Sequence, residues 1–147
     1  MKVLFICTGN ICRSALAECI LRKMAEDAGR TDIQTSSAGT YDLHGEEYDP
    51  TMVEVAKRHG YDMAGKSKLM TDAMLQEADL ILVMEEYHYV KVQRDLPYTQ
   101  WSKLHIINKF CYDEMSNIKD PYFGSDALFE QVFLQIEEAC QIILNKI

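Results

Sequence analysis

The sequence predicts an α/β fold in which a parallel sheet is covered by helices on both faces. Three observations carry the prediction. Strand-length apolar runs occur at Lys2–Cys7, Ala78–Met84 and Leu104–Phe110; segments of helical periodicity lie between them; and Gly, Asn, Asp or Pro stands at the junctions. Strands that are apolar throughout, rather than alternating, belong in a sheet buried on both sides, and their alternation with helices makes that sheet parallel.

Lys2–Cys7 reads as the first strand, since it is rich in Val, Leu, Phe and Ile and runs into a turn. From about Ser14 the residues Ala17, Ile20, Leu21, Met24 and Ala28 recur at helical spacing, with Glu18, Arg22, Lys23 and Glu26 between them, until Gly29. Ile33–Ala38 is the second strand, closed by Gly39. Pro50 suits the first turn of a helix that reaches about His59 and stops at Gly60. Ser67–Gln76 predicts a short helix with Thr71 as a cap, Ala78–Met84 a strand, and the segment through Tyr87, Val90 and Lys91 a further helix. Leu104–Phe110 predicts the last strand. Leu128, Val132, Ile136, Ala139, Cys140 and Ile143 mark a long amphipathic helix over Ser125–Ile147.

A chain of 147 residues is expected to form one domain over 1–147, able to bury a core without a metal or a disulfide. Fifteen Lys+Arg against 23 Asp+Glu give a net charge of −8 with no basic run. That argues against a nucleic-acid groove or an anionic membrane surface as partner, although it leaves room for one local anion site. The five cysteines (Cys7, Cys12, Cys19, Cys111, Cys140) are odd in number and show no framework of bridges. The opening MKVLFIC reaches Thr8, Gly9 and Asn10 too soon for a signal peptide, and no apolar run approaches a bilayer span. A cytoplasmic setting with free thiols is the expectation, with no membrane insertion.

The chemistry concentrates in Cys7-Thr8-Gly9-Asn10-Ile11-Cys12-Arg13-Ser14, a loop between the first strand and its helix. Gly9 and Asn10 tolerate left-handed dihedrals, and turns of that kind aim successive backbone N–H groups inward as an anion nest. The helix beginning near Arg13 adds unpaired N–H groups and its positive dipole end. Arg13 supplies a planar fork for two oxygens of a tetrahedral anion. Cys7 beneath that anion is expected to be held largely as thiolate, with Ser14 either capping the helix or donating its hydroxyl to the sulfur. Taken singly, Cys7 and Cys12 also suit a core and Arg13 a solvated helix start; the ordered combination points to phosphoryl transfer onto sulfur, with charge on the equatorial oxygens stabilised by the nest and Arg13.

Other anion-binding motifs fit poorly. No Lys-Ser/Thr pair follows the glycine, as a nucleoside-triphosphate loop requires, and Gly9 stands alone where a dinucleotide fold has a glycine set. Cys7 and Cys12 are not at C-x-x-C spacing, and His44, His59, His88 and His105 form no ligand pattern, so neither metal nor cofactor is expected. A leaving alkoxide or phenolate needs a proton that Arg13 cannot give. Asp120 in Lys119–Asp126, "KDPYFGSD", is the best donor, since Asp-Pro-Tyr reads as an ordered turn and a carboxyl beside bound phosphate can retain its proton. The resulting carboxylate would then activate water against the phosphocysteine. Asp120 also suits a solvated turn, and Tyr122 either packing or an aromatic pocket wall.

The whole chain resembles the low-molecular-weight protein-tyrosine phosphatases. The resemblance rests on C-x5-R-S close to the N-terminus, Ser36–Thr40 "SSAGT", Asp49-Pro50, "ADLILVM", Asp120-Pro121-Tyr122 and the terminal helix. It implies a three-layer sandwich with a central four-stranded parallel sheet, helices on both faces and a phosphate-binding loop, Thr8 to Arg13, after the first strand. It implies Cys7 as nucleophile, Arg13 as phosphate-binding arginine, Asp120 as acid and then base, and Asn10 and Ser14 as supports of loop and thiolate. Cys12 matches the second cysteine that pairs with the nucleophile under oxidation. Substrates would be phosphotyrosine-containing proteins and small aryl phosphates, inorganic phosphate the product, and the protein a monomer or weak homodimer.

Three positions depart from the family pattern. Ala15 stands where proline is usual, Phe123 where many relatives have a second tyrosine, and the segment after Thr40 lacks the tryptophan of many bacterial relatives, leaving Tyr41, Leu43, His44 and Tyr48 as replacements at the pocket rim. Relatives resembling arginine phosphatases carry threonine where this chain has Ile11, whereas an aliphatic side chain suits a phenyl ring, alongside Tyr122. An arsenate reductase of the same fold would need a relay of cysteines, and Cys111 and Cys140 offer no close pair. A non-catalytic anion binder would use the same nest without turnover.

Overall fold

Alternate residues of the first strand, β1 (Lys2–Cys7), face opposite cores. Val3, Phe5 and Cys7 belong to the larger buried cluster and Leu4 and Ile6 to the smaller, as the two-residue period of a strand requires. The computed structural model describes residues 1–147. After β1 come α1 (Arg13–Asp27), β2 (Gln34–Gly39), α2 (Pro50–Arg58), α3 (Asp72–Glu77), β3 (Leu80–Val83), α4 (Glu86–Asp95), a 3-10 helix over Tyr98–Lys103, β4 (Leu104–Ile106), α5 (Ile107–Tyr112) and α6 (Asp126–Lys146).

The strands form one parallel sheet in the order β2-β1-β3-β4. Helices α1, α2 and α6 cover the face that carries Phe5 and Leu82; α3 and α4 cover the face of Ile6 and Val83. The three-layer α/β sandwich is therefore the observed architecture. α6 buries Phe129, Val132, Phe133, Ile136, Ala139, Cys140, Ile143 and Leu144 along one side, the stripe that helical periodicity predicts. Asp49 caps α2 by accepting from the Thr51 and Met52 amides at 2.9 and 3.2 Å, with Pro50 in the first turn. No helix is long and apolar enough to cross a membrane.

Several boundaries differ from the sequence reading; β3 is the shorter Leu80–Val83, with Ala78, Asp79 and Met84 outside it. Ser67–Met70 is extended rather than helical, because Gly39 draws it alongside β2: the Gly39 amide donates to Lys68 O at 2.7 Å and the Met70 amide to Gly39 O at 2.9 Å. The helix starts only after Thr71, whose hydroxyl accepts from the Met74 amide at 3.2 Å. The last strand ends at Ile106, and Ile107–Tyr112 turns into α5; Ile107, Phe110 and Cys111 stand at helical spacing and meet the larger core. Ile33 lies just outside β2.

The chain goes from β1 out to β2 and returns to place β3 on the other flank of β1. The connections leaving β1 and β3 therefore diverge, and the crevice between them lies at the carboxyl ends of the strands.

Candidate active site

The residues after β1 form a cradle because outside groups occupy their carbonyls. Thr40 N–H donates to Cys7 O, Tyr41 N–H to Thr8 O and Asp49 N–H to Ile11 O, at 2.9, 2.9 and 2.8 Å, and Leu16 N–H donates to Cys12 O at 2.9 Å within the first turn of α1. The amides of Thr8, Gly9, Asn10, Ile11 and Cys12 donate to no oxygen of the protein, and no side chain caps α1. Asn10 is left-handed, with φ of 57°. Five consecutive amides and an open helix N-terminus thus make an anion nest.

Gly9 serves the loop differently from the sequence reading: it does not adopt a left-handed conformation. A Cβ there would lie 2.6 Å from Leu43 Cδ1, so the Leu43 side chain occupies the space that the missing side chain leaves open. Asn10 is wholly buried and joins the loop to the scaffold. Its Oδ1 accepts from the Lys68 amide at 3.0 Å, and its Nδ2 donates to Ser14 Oγ at 2.9 Å and Ser37 Oγ at 2.8 Å. Ser37 in turn donates to Glu18 Oε1 at 2.5 Å. Having accepted from Asn10, Ser14 can turn its own proton toward Cys7 Sγ, 2.9 Å away. Ser14 lies inside α1 and does not cap it; its hydroxyl has Ala38 O at 3.4 Å as a second acceptor besides the Cys7 sulfur.

Arg13 is 2% exposed, which a guanidinium tolerates only when paired. Nη1 donates to Ile118 O at 2.8 Å and lies 3.4 Å from Glu85 Oε2. Nη2 lies 3.6 Å from Asp120 Oδ2. Ile118 is itself held by donation from its amide to Met84 O at 2.9 Å, so the end of β3 anchors the segment that carries Asp120. Asp120 is about half exposed, and its Oδ1 accepts from the Tyr122 amide at 3.0 Å, closing the turn expected of Asp-Pro-Tyr. Burial pushes the Cys12 thiol well up from its ordinary value, and the neighbouring Cys7, Asp49 and Asp120 push the same way. Cys12 therefore remains a protonated thiol.

Cys7, Thr8, Gly9, Ile11, Cys12, Arg13, Tyr41, Leu43, Asp120 and Tyr122 line a single pocket of about 190 Å³. Two residues expected at the rim are elsewhere. His44 is exposed with a φ of 55° and faces Asp42. Tyr48 points into the larger core, where a Cβ on Gly65 would meet its hydroxyl at 2.8 Å. Glu46 and Asp49 line the pocket in their place.

Sequence reasoning did not single out Glu85, and it met Ser37 and Gly39 only within Ser36–Thr40, without giving either a place at the site. Glu85 follows β3, which places it across the crevice from Arg13. Gly39 permits close packing, since a Cβ there would stand 2.5 Å from Thr8 O. The only local signals were an acidic residue just past a strand at the switch point and a glycine ending a strand.

A family model described as "Low molecular weight phosphotyrosine protein phosphatase" matches residues 2–147. The low molecular weight phosphotyrosine protein phosphatase of Sus scrofa is 31% identical over 151 residues, covering 99% of this chain and 95% of the relative. Among solved structures, a protein tyrosine phosphatase from Entamoeba histolytica aligns with a TM-score of 0.92 at 30% identity, over 99% of this chain and 96% of that one. An arginine phosphatase from Geobacillus stearothermophilus aligns with a TM-score of 0.89 over 99% and 91% of the two chains; at 24% identity it shares the fold alone.

Proposed function

The chain belongs to the low molecular weight phosphotyrosine protein phosphatase family, and from that premise we propose that it hydrolyses phosphotyrosine in proteins, and small aryl phosphates, through a phosphocysteine on Cys7. The observation that carries this is the run of five unpartnered amides, from Thr8 to Cys12, in a pocket that Cys7 and Arg13 also line. Those donors match the three equatorial oxygens of a phosphoryl group in transfer, where charge builds up.

In the first step the Cys7 thiolate attacks phosphorus, the bond from phosphorus to the aryl oxygen breaks, and protonated Asp120 delivers its proton to that oxygen. Ser14 stabilises the sulfur anion by its hydroxyl. In the second step the Asp120 carboxylate takes a proton from water, the water oxygen attacks phosphorus, and the sulfur–phosphorus bond breaks to release inorganic phosphate and the thiolate. The sum is one ester and one water in, one phenol and one phosphate out. Every role in the two steps belongs to a group of the chain itself.

Ile11, Leu43, Tyr41 and Tyr122 form apolar walls suited to a phenyl ring. Ile11 in particular offers no polar partner to a guanidinium, which favours aryl phosphates over phosphoarginine. The deciding measurement is release of nitrophenol from p-nitrophenyl phosphate with a chelator present, followed by the same assay on Cys7→Ser. Turnover by the parent protein, with loss of at least a thousandfold in the variant and retained phosphate binding, is the expected result. Ordinary turnover by Cys7→Ser would overturn the covalent mechanism, and a parent protein that binds phosphate without turnover would make the chain an anion-binding protein.

A further inference from the structure

Among the side chains that the two steps leave unused is a buried imidazole at the edge of the cradle. His88, in the first turn of α4, is wholly buried. The Glu85 amide donates to its Nδ1 at 3.1 Å. An amide can only donate, so Nδ1 is the bare nitrogen and the ring proton sits on Nε2. Nε2–H then has Thr8 Oγ1 as its acceptor at 2.9 Å, the Glu85 carboxylate being farther at 3.8 Å. Burial first, then the charges of Arg13 and Lys91, hold the His88 pKa down to about 3, so the ring keeps this neutral form around neutrality.

Through Nε2 the ring reaches Thr8, 80 residues back along the chain and across the switch point between β1 and β3, and through Nδ1 it holds Glu85, three residues before it. On one side is Thr8, next to Cys7. Its carbonyl is held by the Tyr41 amide at 2.9 Å and its hydroxyl by His88, so the residue is gripped at both ends. On the other side is Glu85, whose carboxylate lies 3.4 Å from Arg13 Nη1. One imidazole thus sets the peptide that opens the nest and the backbone that carries the partner of its closing arginine. Neither contact reaches the phosphoryl group itself.

We propose that His88 is a positioning residue for phosphoryl binding, holding the two flanks of the cradle, Thr8 and the Glu85–Arg13 pair, at the spacing the anion requires. This rests on the reading that the cradle binds phosphoryl groups. A donor held in place helps the bound anion and helps the transition state more, because charge on the equatorial oxygens grows there, so its loss weakens phosphate binding and also slows turnover.

The test uses the full chain and p-nitrophenyl phosphate, with inorganic phosphate as competing inhibitor. His88→Phe keeps the ring and removes both nitrogens; one buried hydrogen bond corresponds to roughly a tenfold effect. The phosphate inhibition constant should rise about tenfold and kcat fall about tenfold, while His88→Gln, whose amide can donate to Thr8, recovers most of both. Thr8→Val should give a comparable loss, and the double variant Thr8→Val with His88→Phe no more than the worse single one. Multiplying losses in the double variant, or a His88→Phe protein with lowered thermal stability but unchanged inhibition constant and kcat, would overturn the proposal. Should His88→Phe fail to fold, Thr8→Ser against Thr8→Val makes the same comparison from the loop side: a tenfold advantage for serine supports the proposal and equal losses overturn it. A parent protein without turnover or phosphate binding overturns the underlying reading instead.

Discussion

Gly39, the last residue of β2, packs directly on the Thr8 peptide: a Cβ on Gly39 would stand 2.5 Å from Thr8 O, 3.0 Å from Gly9 C and 3.1 Å from Asn10 N. All three are backbone atoms of the cradle, which cannot rotate away as a side chain would. Gly39→Ala should therefore displace the nest and cost about 1–3 kcal/mol of stability, as overpacking does. Paired thermal melts and p-nitrophenyl phosphate kinetics check this, with a loss of activity larger than the loss of stability explains. A fully active, equally stable Gly39→Ala protein would show that the loop yields more easily than its geometry implies.

Asp120 is half exposed at the pocket mouth, within 3.6 Å of the Arg13 guanidinium. As proton donor it matters most when the departing oxygen is basic. Asp120→Asn should slow hydrolysis of phenyl phosphate and phosphotyrosine, whose leaving oxygens have pKa values of about 10, by roughly 10²-fold or more. The loss should shrink steadily as the leaving group becomes more acidic. A plot of log kcat/KM against leaving-group pKa steepens in the variant if the assignment is right, and equal slopes would remove Asp120 from that role.

His88 gives the fold a defined acid sensitivity. Its folded pKa is lowered to about 3, chiefly by burial, while in the unfolded chain it titrates near 6.5. Between those values the unfolded state binds more protons, so stability is complete above about pH 6.5 and falls as pH drops toward 3. The contribution lost between pH 7 and pH 5 is about 2 kcal/mol. Urea unfolding at the two pH values should show this difference for the parent protein and a smaller one for His88→Gln; identical pH dependence in both would assign the acid sensitivity to other groups.

Cys7 and Cys12 are both free thiols lining the same pocket. If peroxide converts Cys7 to a sulfenic acid, attack by Cys12 sulfur releases water and closes a disulfide that shields Cys7 from the irreversible oxidised forms. The raised pKa of Cys12 makes that closure slow at neutral pH and faster as pH rises. Mass spectrometry after peroxide should find the linked pair, and Cys12→Ser should lose its reductant-recoverable activity. Equal recovery of both proteins after thiol treatment would exclude the protective bridge.

Much of the fold was legible in the chain because its signals are local. The apolar run Lys2–Cys7 ends as a strand at the residue where Thr8 and Gly9 begin the turn, and the stripe from Leu128 to Ile143 lies on the buried side of α6. The reading failed where a distant partner outweighed a local pattern. Ser67–Met70 was expected to be helical, yet the spare backbone groups of Gly39 hold it extended. Leu104–Phe110 looked like one strand because short apolar runs do not separate strand from buried helix. At the rim, Tyr41 and Leu43 face the pocket and His44 and Tyr48 do not, a choice made by the turn between them and by the space at Gly65.

By itself the sequence determined the alternation of strands and helices and the order Cys7, Gly9, Asn10, Arg13, Ser14, because side-chain period and loop composition act over a few residues. Only the tertiary structure decided what surrounds that loop: Gly39 beneath Thr8, Tyr41 and Asp49 on its carbonyls, Glu85 against Arg13 and His88 against Thr8. These partners lie some 30 to 80 positions away along the chain. They meet because the parallel sheet places the ends of β1, β2 and β3 side by side, and a contact created by strand order leaves little trace in either segment alone.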